Sequence, residues 1–143
     1  MQALIVGTTA PQPRRVVNGV DSARVAMILA VLERRCGLRV STSDVYVSTV
    51  GGMRLTEPAT DLAIALAIAS AVKDIARPQT LAAVGEISLA GEIRPVAAAR
   101  QRLSEAKRLG YSQVIDGDAG SVHSAIGVAF AAAPSERAAV PTF

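Results

Sequence analysis

Two side chains in this sequence have the spacing of a serine–lysine pair. Ser70 lies three residues before Lys73, so a helix would place the two side chains on one face. In penicillin-binding proteins, such a pair allows the lysine to take the serine proton. The partner motifs of those enzymes, Ser-Asp-Asn and Lys-Thr-Gly, do not occur here. We therefore interpret Ser70 as a helix-end serine and Lys73 as a solvated lysine.

The sequence lacks the residues that usually bind a metal ion or a nucleotide. His123 is the single histidine and Cys36 the single cysteine, so no zinc-site spacing is present. Asp116-Gly117-Asp118 is similar to a fragment of a calcium loop, but the later ligands are missing, and a turn explains it better. The glycine pair Gly51-Gly52 lacks the lysine and the Ser or Thr of a phosphate-binding loop. The sequence predicts no metal and no cofactor in this chain.

Arginine dominates the charge of the chain. The formal net charge is +3, and all but two of the 15 Lys and Arg residues are arginine. Several arginines can contact a nucleic acid backbone without reading its sequence, and such binding weakens as salt rises. Aromatic residues make up only 3% of the chain, so stacking on bases is not expected. The alternatives are a solvated face, a subunit interface or an arginine bias of the genome.

The apolar pattern predicts an α/β (α+β) domain that would position these side chains. Strands are predicted over residues 3–9, 16–17, 45–50 and 113–115, with a hairpin over 85–93. Helices are predicted over residues 21–35, from residue 56 or 57 to 72, and over 95–109. A chain of 143 residues is most simply one domain, with its core in residues 1–116 and a tail in 117–143 that is partly helical or disordered.

The segment between the strand ending at Val50 and the following helix looks suited to chemistry but contains no nucleophile of its own. Gly51-Gly52 ends the strand, and Pro58 fits the first turn of the helix. The alanine-rich helix is apolar most of the way round, which indicates burial, and it is too short to span a bilayer. The lone Cys36 and the lack of a basic leader predict a cytoplasmic protein.

Two motifs in this sequence resemble the C-terminal domain of the bacterial RadA (Sms) family of DNA repair proteins. They are Gly-Gly-Met-Arg-Leu-Thr-Glu-Pro-Ala-Thr-Asp-Leu-Ala at 51–63 and Gly-Glu-Ile-Ser-Leu-Ala-Gly-Glu-Ile-Arg-Pro-Val at 85–96. Pro13-Arg14-Arg15 and residues 21–35 fit the same family, and the likeness covers about residues 2–115. Beyond Asp116 the chain departs from the family, which has a leucine-rich helix there. The resemblance implies the fold of the Lon protease proteolytic domain (ribosomal-protein-domain-2-like), a mixed sheet with packed helices.

The resemblance also implies that the catalytic pair of Lon is lost. In Lon, the serine follows a proline at the start of the central helix, and the lysine lies on the helix after the hairpin. Laid on this sequence, those positions fall on Ala59 and Arg100. Alanine has no nucleophile, and arginine keeps its proton and cannot act as a base. We therefore expect no peptidase activity; the alternative is a displaced pair, Ser70 or Ser88 with Lys73.

Partners and cofactors follow from the family alone. The resemblance implies a parent DNA-dependent ATPase that forms hexameric rings on DNA, drives branch migration of recombination intermediates and works with RecA. Its ATP, Mg and Zn sites would lie in parts that are not in this chain. The domain itself would assemble the ring and contact the DNA backbone, in the cytoplasm at the nucleoid and away from membranes. The candidate DNA or interface residues are Arg14, Arg15, Arg54, Arg94, Arg100 and Arg102.

Two other interpretations stay open at this point. One is a purely structural oligomerisation module without DNA contact. The other is the related Lon-like domain of magnesium-chelatase-like competence proteins, which the Thr56-Glu57-Pro58 segment fits less well than it fits RadA.

Overall fold

The computed structural model describes residues 1–131. Within them, strands and helices alternate along the chain, which confirms the mixed α/β class. The elements are β1 Gln2–Gly7, β2 Arg15–Asn18, α1 Ser22–Cys36, β3 Ser43–Ser48, α2 Asp61–Lys73, β4 Leu81–Ala83, β5 Glu86–Ile87, β6 Ile93–Arg94, α3 Ala99–Arg108, β7 Gln113–Ile115 and α4 Val122–Phe130. Short 3-10 turns at Pro58–Thr60 and Gly117–Ala119 precede α2 and α4.

The strands form three small sheets. The largest has the order β1-β3-β2, with β1 antiparallel and β2 parallel to the central β3. β4 pairs in parallel with β7, and β5 pairs with β6 in the predicted hairpin. Because β1 and β2 flank β3, each has one edge without a strand partner among the described residues.

The three-stranded sheet buries one face and exposes the other. Val45 and Val47 of β3 point into the core and are 0% and 1% exposed. On the opposite face Leu4, Tyr46 and Val16 share one register position across the three strands, and Leu4 is 58% exposed. We call these three residues the outer row. The alternation of β3 thus separates a covered face from an open one.

Helix α1 has the ends that its sequence predicts. The Asp21 side chain accepts a hydrogen bond from the Ala23 N–H at 3.0 Å, which satisfies a free donor of the first turn. Gly37 ends the helix with a φ of 67°, in the left-handed region that glycine adopts readily. Val25, Ile28, Leu29 and Leu32 face the core at helical spacing.

Helix α2 is the centre of the core. Glu57 takes the N-cap position of the 3-10 turn, Pro58 opens that turn, and α2 follows directly. From Leu62 to Ala69 all residues except Ala63 are buried. The prediction of a buried central helix is therefore confirmed, and it packs against α1, α4 and β1.

Helix α3 begins later than predicted. The sequence pattern placed its start at Pro95, but the helix starts at Ala99 because Ala98 has a φ of 56° and interrupts the helical backbone. None of its residues is fully buried. Its half-buried residues Leu103 and Ala106 form a shallow contact rather than a core face.

The core continues beyond the boundary predicted at residue 116. Ser121 caps α4 by accepting from the Ser124 N–H at 3.1 Å. Val122, Ala125 and Ala129 of this helix are buried in the same cluster as α1 and α2. Residues 132–143 of the predicted tail lie outside the described residues. Within residues 1–131, no helix combines the length and the apolar character that crossing a bilayer requires.

Candidate functional site

The residue at the predicted serine position lies in a turn that is fixed to the hairpin segment. Ala59 is 8% exposed, and its carbonyl accepts from the Gly85 N–H at 2.9 Å. The Leu62 N–H donates to the Gly85 carbonyl at 3.0 Å. A Cβ on residue 85 would lie 2.6 Å from the Ile93 side chain, so glycine is required for this close approach. The start of α2 is therefore held in a defined position.

A cavity of about 240 Å³ opens beside this turn, and we call it the Ala59 cleft. Its walls are mostly small apolar residues. The lining residues are Ala59, Thr60, Ala82, Ala83, Val84, Arg102, Ala106 and Val114. Arg102 is the one charged side chain among them. Its Nη2 lies 2.5 Å from Glu57 Oε2, and its Nε donates to the Ala97 carbonyl at 3.0 Å.

The Ala59 cleft holds no nucleophile next to a base. Thr60 supplies the hydroxyl among the lining residues, and this hydroxyl donates to the Glu57 carbonyl at 2.7 Å. The basic group is a guanidinium, which stays protonated and is held by a carboxylate. Nucleophilic catalysis needs a hydroxyl or thiol within reach of a proton acceptor. The cleft could bind a small polar group but has no such pair.

The arginine that lines the Ala59 cleft is not the one at the predicted position of the Lon lysine. Arg102, not Arg100, lies beside Ala59; Arg100 is exposed and does not line the cleft. Residues two apart on a helix point in nearly opposite directions, so only one of these arginines can face the cleft. The salt bridge between Arg102 and Glu57 identifies which one does.

The serines of the alternative displaced pair have structural hydrogen bonds. The Ser70 hydroxyl donates to the Ile75 carbonyl at 2.5 Å and closes the end of α2. Ser88 Oγ accepts from the Glu92 N–H at 3.2 Å inside the hairpin. Lys73 is exposed and makes no hydrogen bond or salt bridge among the described residues. The sequence pair Ser70 and Lys73 is therefore not joined by a direct contact here.

Arg15, one of the candidate DNA or interface residues, uses its guanidinium to bind carbonyl groups of the protein itself. It is the first residue of β2, and its guanidinium donates to the Ser43 carbonyl at 2.5 Å and to the Val40 carbonyl at 3.0 Å. A third bond, to the Arg14 carbonyl, is 3.1 Å long. The side chain folds back because the start of β3 and the segment before it offer carbonyl groups that its guanidinium can reach.

Arg14 is exposed, as Arg15 is, but it contributes its backbone rather than its side chain to the protein's own hydrogen bonds. Its backbone N–H donates to Asp44 Oδ1 at 2.6 Å, which fixes the main chain at the start of β2. Its guanidinium makes no hydrogen bond within residues 1–131. Arg14 therefore presents a cation to solvent at one end of the three-stranded sheet, where Asp44 binds its backbone rather than its side chain.

Arg54 and Arg94 are also exposed and lie on separate parts of the surface. The loop that carries Arg54 is attached to the far end of β2, because the Leu55 N–H donates to the Gly19 carbonyl at 2.8 Å. Arg94 lies on β6 beside Glu86 and Glu92. Neither guanidinium forms a salt bridge within the described residues. The predicted arginines thus lie on different elements: Arg14 and Arg15 at the start of β2, Arg54 in the loop after β3, Arg94 on β6, and Arg100 and Arg102 on α3.

A buried ion pair that the sequence did not predict joins α1 and α2. Asp61 is 1% exposed, and both of its oxygens accept from the Arg24 guanidinium, with a distance of 2.8 Å at Oδ1. Oδ2 also accepts from the Ile87 N–H at 3.0 Å. The hydrogen bonds that Arg24 donates to Asp61 raise the pKa of Arg24 above its ordinary value. The available signal was an acid at the start of an otherwise apolar run. Nothing in the sequence indicated its partner, Arg24, which lies 37 positions away.

Metal ligands are not grouped in the part of the chain that the structure describes. Asp116 Oδ1 accepts from the Asp118 N–H at 3.0 Å and caps the 3-10 turn. The interpretation of Asp116-Gly117-Asp118 as a turn is therefore confirmed.

Comparison with known proteins identifies a family and several relatives of this chain. A family model described as subunit ChlI of Mg-chelatase matches residues 21–118. A DNA repair protein RadA of Mycolicibacterium smegmatis is 51% identical over 142 residues, which are 99% of this chain and 30% of that protein. Proteins with the same name are 50% identical over 112 residues in Mycobacterium tuberculosis and 44% identical over 115 residues in Escherichia coli.

These relatives are much longer than the chain. The matches cover 78% and 80% of this chain but only 23% and 25% of the M. tuberculosis and E. coli proteins. The matched range 21–118 includes the Ala59 turn, the hairpin and α3. The chain therefore belongs to the family described as subunit ChlI of Mg-chelatase and is homologous to a part of proteins named DNA repair protein RadA.

Proposed function

We propose that this domain acts in DNA repair as a non-proteolytic, Lon-like part of a RadA-type protein. In this role it helps to assemble a hexameric ring and contacts the DNA backbone during branch migration of recombination intermediates. The observation that carries the proposal is the 51% identity, over nearly the whole chain, to a protein named for DNA repair. The RecA partner and the nucleoid location that the resemblance implies belong to the same proposal.

The Ala59 cleft supports the non-proteolytic part. The proposal assigns the lost serine to Ala59, which offers only a methyl group, and the lost lysine to Arg100. The guanidinium that does line the cleft, that of Arg102, is salt-bridged to Glu57 and stays protonated. Casein and a fluorogenic peptide should therefore remain uncleaved, and a fluorophosphonate probe should label no serine. Labelling of Ser70 or Ser88 would favour the displaced pair and contradict this part of the proposal.

The exposed arginines support the DNA-binding part. Arg14, Arg54, Arg94 and Arg100 are exposed and make no salt bridge within residues 1–131, whereas Arg15 and Arg102 already hold protein groups. Free guanidinium groups can form bidentate hydrogen bonds with phosphate oxygens. DNA contact should therefore depend on the first four residues more than on Arg15 and Arg102.

A salt titration of DNA binding tests this part. Fluorescence anisotropy with a labelled duplex should show an affinity that falls linearly on a log–log plot as chloride concentration rises. Removal of one phosphate-binding side chain, for example by Arg14→Gln, should reduce the slope by about 1. Arg108→Gln is the matched control, because Arg108 already pairs with Glu105 on the surface. Binding that is absent at low salt, or independent of salt, would leave only the oligomerisation module.

A further inference from the structure

Three segments of the chain meet at the end of the domain where β3 begins. The Glu33 carboxylate, in the last turns of α1, accepts from the Val40 N–H at 3.4 Å and from the Ser41 N–H at 3.3 Å. The Arg15 guanidinium, at the start of β2, donates to the Val40 carbonyl at 3.0 Å. The end of α1, the start of β2 and the connection from α1 to β3 are therefore in direct contact.

This end of the domain is rich in arginine, and we call it the basic end. It comprises residues 14–15 and 33–44 and carries Arg14, Arg15, Arg34, Arg35 and Arg39, all of them exposed. The same residues include two acids, Glu33 and Asp44, so the five arginines exceed the acids by three. The formal net charge of the whole chain is also +3. The other residues are therefore balanced by count, and the excess positive charge belongs to the basic end.

The end of α2 lies beside the basic end but adds no net charge to it. Burial raises the pKa of the Cys36 thiol, and the charge of Lys73 partly offsets this rise, which places the end of α2 near that of α1. Lys73 and Asp74 carry one charge of each sign. The excess of positive charge therefore persists when the neighbouring helix end is included.

The two acids of the basic end hold backbone groups rather than arginine side chains. Glu33 accepts from the two N–H groups described above, and Asp44 Oδ1 accepts from the Arg14 N–H at 2.6 Å. Neither carboxylate forms a salt bridge within residues 1–131. The acids thus organise the backbone of this surface and leave its guanidinium groups outside salt bridges.

The fold itself accounts for only part of this charge. Arg34 and Arg35 lie in the last turn of α1, where cations interact favourably with the helix dipole. Arg15 binds carbonyl groups of the protein. Arg14 and Arg39 lie outside the helix, and their guanidinium groups make no hydrogen bond or salt bridge among the described residues. These two side chains are available to an anion outside the domain.

We propose that the basic end is the principal surface through which this domain contacts the phosphate backbone of a DNA duplex. The inference rests on the proposed function and assigns most of its DNA contact to one end of the domain. Three arginines that were not among the predicted contact residues would join Arg14 there: Arg34, Arg35 and Arg39. Arginine forms bidentate hydrogen bonds with phosphate, and a local excess of positive charge attracts a polyanion. The basic end contains no aromatic residue, so we expect contact with phosphates rather than stacking on bases.

The slope of DNA affinity against salt tests the surface. Fluorescence anisotropy would measure binding of a labelled duplex of about 20 base pairs to the 143-residue chain over a range of chloride concentrations. The basic-end variant combines Arg14→Gln, Arg34→Gln and Arg39→Gln. We expect the log–log slope to become smaller in magnitude by about 3, because each lost phosphate contact removes about 0.9. Affinity at low salt should fall by about tenfold or more.

Two control variants separate position from charge and from folding. The comparison variant combines Arg54→Gln, Arg94→Gln and Arg100→Gln, which removes the same charge from exposed positions on other elements and should change the slope less. Lysine at the three positions of the basic-end variant keeps the charge and should keep most of the slope. Circular dichroism and urea denaturation would show that each variant is folded.

A measurement on the original chain needs no variant. Addition of the duplex should shift the NMR signals of backbone amides in residues 14–15 and 33–44 more than those in β7. Shifts centred elsewhere would contradict the assignment of the surface.

The outcomes distinguish this inference from the proposed function. Equal losses in the basic-end and comparison variants, with salt-dependent DNA binding by the original chain, would overturn the basic end as the principal surface and leave the DNA contact standing. Absence of DNA binding by the original chain would overturn both. A polyglutamate peptide that binds the basic end more tightly than the duplex does would assign this surface to an acidic protein instead.

Discussion

Asp61 combines almost complete burial with a charge, at the first residue of an otherwise apolar helix. Its oxygens accept from Arg24 on α1 and from the backbone of β5, so one side chain connects three elements. A buried carboxylate is tolerated only when its acceptors are satisfied. In the described residues no buried side-chain polar atom lacks a hydrogen-bond partner, which fits this requirement.

Removal of one partner should reveal the strength of this arrangement. Arg24→Met leaves Asp61 buried beside an apolar side chain, and we expect the free energy of unfolding to fall by about 2 to 3 kcal/mol. The loss is toward the low end because the Arg24 side chain is 27% exposed. Urea denaturation measures it. Arg108→Met, which breaks an exposed pair with Glu105, should change stability much less, and equal losses in the two variants would contradict the argument.

Glu33 makes a pH-dependent contribution to the stability of the folded domain. Its carboxylate accepts from the Ser41 N–H at 3.3 Å and the Val40 N–H at 3.4 Å, and the interaction with Ser41 lowers the pKa of Glu33 below 4.5. A lowered folded-state pKa stabilises the protein above the unfolded value, and this stabilisation is lost as pH falls through the folded value. Glu33→Gln should therefore reduce stability at pH 7, by about 0.5 to 1 kcal/mol. Denaturation at several pH values should show the difference from the original chain shrinking below about pH 4; a constant difference would contradict it.

Single residues also show where sequence reasoning stops. Composition indicated that arginines are abundant, and the structure shows that Arg15 and Arg102 hold carbonyl and carboxylate groups of the protein itself. The sequence gives the charge of a side chain but does not show which way the side chain points. The exchange of Arg100 for Arg102 beside Ala59 has the same cause, because counting along a motif does not resolve which face of a helix a residue takes.

At the scale of elements, the loop between β3 and α2 depends on the turn at the end of β2. Gly19 has a φ of 82°, and a Cβ there would lie 2.6 Å from the Met53 carbonyl oxygen and in contact with the Thr49 side chain. Only glycine fits both the backbone angle and the space. The close approach is what lets Gly19 accept from the Leu55 N–H and hold the loop that carries Arg54.

Gly19→Ala should therefore destabilise the domain, by about 2 kcal/mol or more, through backbone strain and steric overlap. The control is Gly127→Ala in α4, where a Cβ would meet no atom within 4 Å. Alanine has the higher helix propensity, so this variant should gain up to about 1 kcal/mol. Thermal unfolding of both variants distinguishes them, and a neutral Gly19→Ala would refute the packing argument.

Elements were predictable where local signals fix them. The Asp21 cap and Gly37 give α1 both ends, and the Ala90-Gly91 turn gives the hairpin, since each signal acts within a few residues. The start of α3 was not predictable, because Pro95 marks a plausible first turn and alanine gives no local sign of the left-handed conformation that Ala98 adopts. The pairing of β4 with β7 joins residues more than thirty positions apart and has no local signature.

At the scale of the whole molecule, α4 belongs to the core that α1 and α2 build. Val122 is 0% exposed and Val128, on the same helix, is 49% exposed. Val122→Asp should prevent folding because it places an unpaired charge in an apolar interior. Val128→Asp should leave the circular dichroism spectrum and the unfolding transition nearly unchanged. A folded Val122→Asp variant would restore the predicted core boundary at residue 116.

The outer row of the three-stranded sheet adds exposed apolar side chains to a surface that also carries arginines. Sulfate and phosphate salts strengthen the association of apolar surface, while any added salt weakens contacts between arginine and phosphate. The association of the outer row and the proposed contacts between the arginines and DNA should therefore respond to sulfate in opposite directions, the first becoming stronger and the second weaker. Chloride, which is less strongly excluded from protein surfaces, separates the two effects.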